Sequence, residues 1–301
     1  MPASDPTGVL LVDKPGGITS HDVVARARKA LGTRKVGHAG TLDPMATGLL
    51  ILGVGPATRL LTYIVGLDKT YLATIRLGAD TTTDDAEGEI LETADAAGLA
   101  AVEDTAVAAG IARLTGEIEQ VPSTVSAIKV AGRRAYDLAR AGEQVELKSR
   151  RVTVSRFEVL AARRSAAAID LDVVVDCSSG TYIRALARDL GRDLRVGGHL
   201  TALRRTRIGA FDVQSACGID GIDATRLQTP ADVAARVLPA LAVDAAQARD
   251  LRQGKRLPGL GATLPGPQTA AIDPDGALVG IVERRGDDVR SVMNMPEEQR
   301  S

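Results

Sequence analysis

Strand-like and helical apolar patterns follow one another along this 301-residue chain in irregular order, and that order constrains the fold more than any other feature. The strict β-α-β-α alternation that a doubly wound or barrel fold needs is missing. The pattern therefore predicts an α+β protein with a mixed, largely antiparallel sheet and flanking helices. Residues 9–12 form a short apolar strand, ended by the turn Lys14-Pro15-Gly16-Gly17. A helix follows, with Ser20 at its cap, Val23, Val24, Ala27, Ala30 and Leu31 at helical spacing, and Gly32 at its end. Residues 37–48 read as a long loop dense in Gly, Thr, Asp and Pro, a kind of segment that is usually functional, before the apolar run 49–52. Residues 70–77 alternate as a strand, 99–114 read as a helix, 152–160 and 169–175 as neighbouring strands, and Thr181 is placed to cap a helix over 182–194. The composition breaks after Leu238-Pro239, and turns at Asp273-Pro274-Asp275-Gly276 and Gly286-Asp287-Asp288 separate three further strands. These signals divide the chain into a domain over residues 1–239 and a small β-rich domain over 240–301.

Charge is balanced in total, at −1, but not in distribution. From Asp80 to Glu119 eleven acids face Arg113 alone, whereas residues 129–151 carry seven bases against three acids and residues 181–209 seven arginines against two. Phosphate neutralisation needs basic surface, so the two basic segments are the expected nucleic-acid face and the acidic one belongs away from it. Four Tyr, two Phe and no Trp leave too few rings for a sheet that stacks rows of bases, so each Tyr is inspected singly. Two cysteines make no disulfide framework, three histidines show no metal-ligand spacing, and no apolar leader or spanning segment is present. A cytoplasmic protein without a metal site or membrane contact is expected.

The segment richest in chemistry is Lys35-Val36-Gly37-His38-Ala39-Gly40-Thr41-Leu42-Asp43-Pro44-Met45-Ala46-Thr47-Gly48. Its glycines match neither phosphate-binding loop pattern, and by composition alone Asp43 is a turn residue before proline. Order and spacing across several blocks say more. Asp13-Lys14-Pro15, Gly17 and Ser20-His21 come first, followed by the segment above and by Gly55, Ala57 and Thr58. Asp68-Lys69-x-Tyr71, Pro122-Ser123, Ser126-Ala127, Lys129, Gly132, Cys177-Ser178-x-Gly180-Thr181-Tyr182-Ile183-Arg184 and Leu203-Arg204-Arg205-Thr206 follow in turn.

Together these blocks, covering most of residues 8–210, resemble the TruB family, the bacterial tRNA pseudouridine-55 synthases, with Ala39 and Arg59 departing from the commoner Thr and Lys. The resemblance implies the pseudouridine synthase fold and conversion of the T-loop uridine 55 of tRNA to pseudouridine, with the nucleotide flipped out. It implies Asp43 as the catalytic carboxylate, Arg184 as its partner, and Tyr71 as the ring that stacks on the base and helps remove the C5 proton. Tyr182 and Leu203 would line the uracil face, His38 would fill the gap left by the flipped nucleotide, and Lys14 and Arg59 would contact phosphate or pocket. The basic stretch 121–151, with Lys129, Arg133 and Arg134, resembles the family's thumb, an insertion that closes over the T-stem-loop. Residues from about 240 resemble a PUA-like RNA-binding module that touches the acceptor end of tRNA. The chemistry moves a glycosidic bond from N1 to C5 without redox change, so no cofactor is expected, and the segregated charge suits a monomer. A carboxylate suits this chemistry, being ionised at neutral pH and able to attack or to stabilise the sugar. Two other readings of the same residues are an RNA-binding factor with a degenerate site and a nucleoside or glycoside hydrolase. Since Asp43 is the only carboxylate in its block, isomerisation is favoured over hydrolysis.

Overall fold

The computed structural model describes residues 6–123, 129–130, 133–134 and 148–297, the side chains of 129–130 and 133–134 excepted. In chain order the first half supplies strands β1 (Gly8–Lys14), β2 (Val36–Ala39), β3 (Thr47–Val54), β4 (Lys69–Leu77), β5 (Ala79–Thr81), β6 (Ile90–Thr93) and β7 (Gly116–Gln120). β8 (Lys129–Val130), β9 (Arg133–Arg134), β10 (Arg150–Arg164), β11 (Ile169–Cys177) and β12 (Gly198–Ile208) come next. Then come β13 (Phe211–Asp212), β14 (Cys217–Gly218), β15 (Ala240–Ala242), β16 (Thr269–Ile272), β17 (Leu278–Arg285) and β18 (Asp288–Asn294). The helices are α1 (Ser20–Ala30), α2 (Leu61–Val65), α3 (Ala96–Ala100), α4 (Asp104–Arg113), α5 (Ile183–Asp193), α6 (Pro230–Val237) and α7 (Ala245–Arg252). The α+β class with a mixed, largely antiparallel sheet and a small C-terminal sheet is what the sequence pattern predicts.

The chain forms two compact units. One consists of Asp43–Gly48 and Gly66–Ile208. Its sheet runs from the start of β3 through β12, β4, β11 and β10 to β7; β12 is parallel to β3, and every other pairing is antiparallel. β4 lies between β11 and β12, and its residues alternate inward and outward with the period of two that a pleated strand imposes. Lys69, Tyr71, Ala73, Ile75 and Leu77 therefore share the buried face. Register sets Tyr71 opposite Val175 on one side and Arg205 on the other, and Lys69 opposite Cys177. Helix α5 packs on β12 and buries Ile183, Arg184, Ala185, Leu186, Ala187, Arg188 and Leu190.

The other unit consists of Met1–Leu42, Leu49–Val65 and Gly209–Ser301. Here β14, β1 and β3 lie side by side with β2 antiparallel to β3. Leu10, Val12, Val23, Val24, Ala27, Leu50, Leu52 and Val54 close an aliphatic core between these strands and α1. The C-terminal sheet β15-β16-β17-β18 packs Ala271, Val279, Val282 and Val289 against Ala248 and Leu251 of α7.

Four local expectations change. Thr19, not Ser20, caps α1, in a capping box with Asp22. Ser20 instead ties α1 to the residue before Asp43, as its buried hydroxyl accepts from Leu42 N at 2.9 Å and donates to Leu42 O at 3.1 Å. The loop expected over 37–48 begins as strand β2. The helix expected over 99–114 is two helices, because the acid pair Glu103-Asp104 starts a new N-terminus after α3. Thr181 donates to Ser178 O, so Tyr182 takes the N-cap position of α5 and supplies no side-chain cap.

Candidate active site

The first unit gathers Asp43, Arg184 and Tyr71. Asp43 rides the short loop that leads into β3, turned so that its carbonyl accepts from Ala46 N at 3.1 Å. Its side chain is 35% exposed, whereas Arg184, on the first turn of α5, is 3% exposed. Arg184 Nε lies 3.0 Å from Asp43 Oδ2. A guanidinium at that depth needs its donors matched, and Arg184 Nη1 reaches Thr83 O at 2.8 Å and Asp85 Oδ2 at 3.4 Å. One buried cation thus holds an accessible carboxylate on one side and a buried one on the other. The Asp85 carboxylate is itself satisfied, with Oδ1 accepting from Thr83 Oγ1 at 2.5 Å and from Glu87 N at 3.1 Å.

This corrects the expectation that the acidic stretch turns away from the site. Two of its members are built into it. Asp84 takes φ of +60°, a left-handed conformation that Asp tolerates better than most residues. That reversal lets consecutive acids reach two arginines one helical turn apart: Asp85 meets Arg184, and Asp84 Oδ2 meets Arg188 Nη1 at 3.1 Å. Arg188 also donates to Val121 O at 2.7 Å and to Asp189 Oδ1 at 2.9 Å. Burial pushes the Asp84 carboxyl up, with the Arg188 charge opposing. Removing one partner of such a pair leaves a poorly hydrated charge behind. Arg188→Met is expected to cost about 2 kcal/mol in denaturant unfolding, below the roughly 3 to 5 kcal/mol of a fully buried pair because Asp84 retains some exposure. A loss under about 0.5 kcal/mol would show the pair to be a surface contact.

Tyr71 is buried, and burial raises its phenol, against the hydrogen bond and charge of Arg205. Asp43 and Cys177 also act on that phenol, both upward. Arg205, 1% exposed, is among the largest side chains sealed in the molecule. Beside it, Lys69 donates to Leu67 O at 2.6 Å, and burial together with the Arg205 charge pushes its ammonium down to about 8. Burial pushes the Cys177 thiol up to about 11. Unfolded, Lys69 regains the ordinary lysine value, so at pH values between the two the unfolded chain binds the extra proton. Stability carried by Lys69 therefore rises with pH above about 8, by up to about 1.4 kcal/mol per unit. Unfolding free energies of the wild type and Lys69→Met, compared from pH about 7 to 10, are expected to diverge in favour of the wild type as pH rises. Parallel curves would contradict the burial argument.

Tyr182 is half-buried, its backbone clamped by Gln120, which accepts from Tyr182 N at 2.8 Å and donates to Tyr182 O at 3.0 Å. The Arg150 guanidinium stands 5.5 Å above its ring. Leu203 is buried on β12 opposite Ala73, with its carbonyl accepting from Thr47 Oγ1 at 3.5 Å. Of the basic stretch 121–151, Lys129–Val130 and Arg133–Arg134 pair as antiparallel strands, while their side chains and most of the stretch lie outside the described residues.

The remaining expected residues belong to the other unit. His38 is half-buried on β2, its ring edge-on to His21 at 5.5 Å. Lys14, expected against phosphate or pocket, is fully buried, and its ammonium donates to Pro15 O at 2.9 Å and Ile18 O at 2.7 Å. Those bonds close the turn after β1. Arg59 is exposed and donates to Asn294 O, at the end of β18. Among the described residues no cluster of His, Cys, Asp and Glu is suited to a metal ion, and no helix is long and apolar enough to cross a membrane.

Comparison with known proteins agrees with the geometry. Residues 28–183 match the model of the TruB family pseudouridylate synthase N-terminal domain, 184–240 the tRNA pseudouridylate synthase B C-terminal domain, and 238–296 the tRNA pseudouridine synthase II C-terminal region. The chain is 59% identical to tRNA pseudouridine synthase B of Leifsonia xyli subsp. xyli over 97% of its length and 98% of the relative's. It is 60% identical to the corresponding protein of Nocardia farcinica over 93% and 90%. Among solved structures, a chain of a Cbf5-Nop10-Gar1 complex superposes with TM-score 0.69 at 24% identity, covering 97% of this chain and 84% of that one. A chain of an H/ACA RNP bound to a substrate RNA containing 2'-deoxyuridine gives 0.70 at 23%, covering 98% and 87%. These two likenesses speak for the fold alone.

Proposed function

Since the chain belongs to the TruB family of pseudouridylate synthases, we propose that it isomerises uridine 55 in the T-loop of tRNA and that Asp43 is its essential acid. Membership carries the coarser statement: the protein is an isomerase with tRNA pseudouridine synthase B activity. The finer reading is supported above all by the Asp43–Arg184 pair, in which a nearly sealed guanidinium fixes a carboxylate that is itself open to solvent.

In this reading the target nucleotide leaves the stack, at a cost of a few kcal/mol, to bring its glycosidic bond to Asp43. The acid attacks or stabilises the reacting carbons while the N1–C1′ bond breaks. The uracil turns, C5 bonds to C1′, the C5 proton departs, and N1 ends protonated. Atoms and electrons balance without an oxidant, a reductant or a bound group. Tyr71 takes the C5 proton and stacks on the base, and Tyr182 and Leu203 border the uracil. His38, steadied by His21, takes the place of the flipped nucleotide. Lys129, Arg133 and Arg134 meet the T-stem-loop backbone, the PUA-like C-terminal region meets the acceptor end, and the enzyme works as a monomer. The full burial of Lys14 favours a structural role for it over a phosphate contact.

Hydrolysis is the competing chemistry, because Asp85 supplies a second carboxylate near Asp43. Asp85, however, is buried and its oxygens are bonded to Arg184, Thr83 and Glu87, which leaves it no route to a leaving group. Unmodified tRNA carrying tritium at uracil C5 is expected to release one tritium per molecule with its mass otherwise unchanged. Free uracil among the products, or release that persists when uridine 55 is replaced by cytidine, contradicts the assignment.

A further inference from the structure

The buried Arg205 beside Tyr71 has no part in the reaction as set out so far. The two residues face each other directly across the β4–β12 ladder, both on the inward face. In an antiparallel pair such side chains stand about 5 Å apart at Cβ, so sheet register, not a loop, fixes their approach. Arg205 hydrogen-bonds the Tyr71 phenol. The other ionisable groups acting on that phenol are Cys177 from β11 and Asp43 from its loop, and the neighbour two residues earlier on β4 is Lys69. Arg205 is itself pinned at its backbone, parallel to Gly48 of the Asp43 loop.

We propose that Arg205 is a positioning residue for this reaction, holding the Tyr71 oxygen in one place and stabilising it as the oxyanion that takes the C5 proton. The inference rests on the function proposed above. In the step concerned, the C5–H bond breaks, its electron pair restores the C5–C6 double bond, and the proton passes to a Tyr71 oxygen that has already given its own proton to water. An anion at a site this buried needs a fixed cation, and among the described residues Arg205 is the cation that acts on that oxygen by hydrogen bond and charge. In the RNA-free enzyme burial outweighs the guanidinium, so the phenol stays above its ordinary value, and the Arg205 charge and hydrogen bond reduce the cost of reaching the anion.

The test measures single-turnover tritium release from a C5-tritiated T-stem-loop at saturating enzyme, across pH about 6.5 to 9.5, with RNA affinity measured separately. Arg205→Met is expected to slow release by about 100-fold, keep RNA affinity within about threefold, and move the rising limb of the pH profile upward. Arg205→Lys, which keeps a buried charge, recovers at least tenfold of that loss. In a Tyr71→Phe background Arg205→Met adds no further loss, because the phenol oxygen it serves is gone. An unmoved pH limb, a loss appearing mainly in RNA affinity, or full multiplication of the two losses in the double variant overturns the proposal. The RNA-free enzyme gives a second readout that does not depend on activity. The Tyr71 part of the tyrosinate absorbance, taken as the difference from Tyr71→Phe, is expected at higher pH in Arg205→Met and near the wild-type position in Arg205→Lys. Equal titration in all three overturns the Arg205 proposal, whereas tritium release that survives Asp43→Asn overturns only the functional reading beneath it.

Discussion

Asp43→Asn is expected to lower C5 tritium release by on the order of 10⁴-fold or more while tRNA affinity changes by less than about threefold. Asparagine matches the carboxylate in shape and size, so the loop and its Ala46 turn persist; what disappears is the negative charge and the nucleophilic oxygen. Whether Asp43 bonds to a carbon or only faces developing positive charge at C1′, each route needs that oxygen anionic. Arg184 keeps Thr83 O and Asp85, so it stays ordered, and the variant isolates the acid. Affinity holds because tRNA binding draws on phosphate contacts, in which a carboxylate takes no part. A residual rate within about a hundredfold of wild type, in a variant with unchanged melting behaviour, would require a different acid and return the second carboxylate to consideration.

Gly48→Ala is expected to be severely destabilising, at about 4 kcal/mol or more. Gly48 adopts φ of +103°, which side chains resist, and a Cβ there would stand 2.2 Å from Arg205 O and 2.8 Å from Arg205 N. Both obstacles are backbone in a paired strand, so neither yields without loss of register. Gly17 is the control: its φ is +81°, yet nothing lies within 4 Å, and alanine there costs about 1 kcal/mol from conformation alone. Denaturant unfolding of both variants separates the two causes, and equal losses would mean that crowding against Arg205 is unimportant. In the Gly48→Ala molecules that fold, turnover should also fall, by about 100-fold, because the change separates the Asp43 loop from the strand carrying Arg205.

Much of the fold was legible because its signals are local. The alternation along residues 70–77 needs only the pleat of one strand, and the turns at Asp273 and Gly286 are written in Gly, Asp and Pro. Asp43, Tyr71 and Arg184 stood out through motif resemblance, and their meeting depends on three elements distant in sequence. What stayed hidden depends on pairings that no local window contains. Asp84 and Asp85 look like members of a solvated acidic run until the left-handed turn at Asp84 aims them at α5. Arg205 looks like one more base in an arginine-rich strand, and only the β4 register turns it onto Tyr71. Its one sequence clue is the two-residue step from Leu203 to Arg205, which puts a cation on the same face as a buried leucine. Lys14 is hidden for the same reason: nothing in Lys-Pro-Gly-Gly says that the turn folds its carbonyls back onto a buried ammonium.

Tyr71 and Arg205 sit in the middle of a ladder, whereas Asp43 sits on a six-residue passage that reaches the same sheet only at its far end, through Thr47 and Gly48. Amides in paired central strands exchange with solvent only when the whole unit opens, while such a passage can lift away at much lower free energy. Warming should therefore silence the enzyme below its melting temperature, by transient departure of the acid from an otherwise intact scaffold, and cooling should restore it.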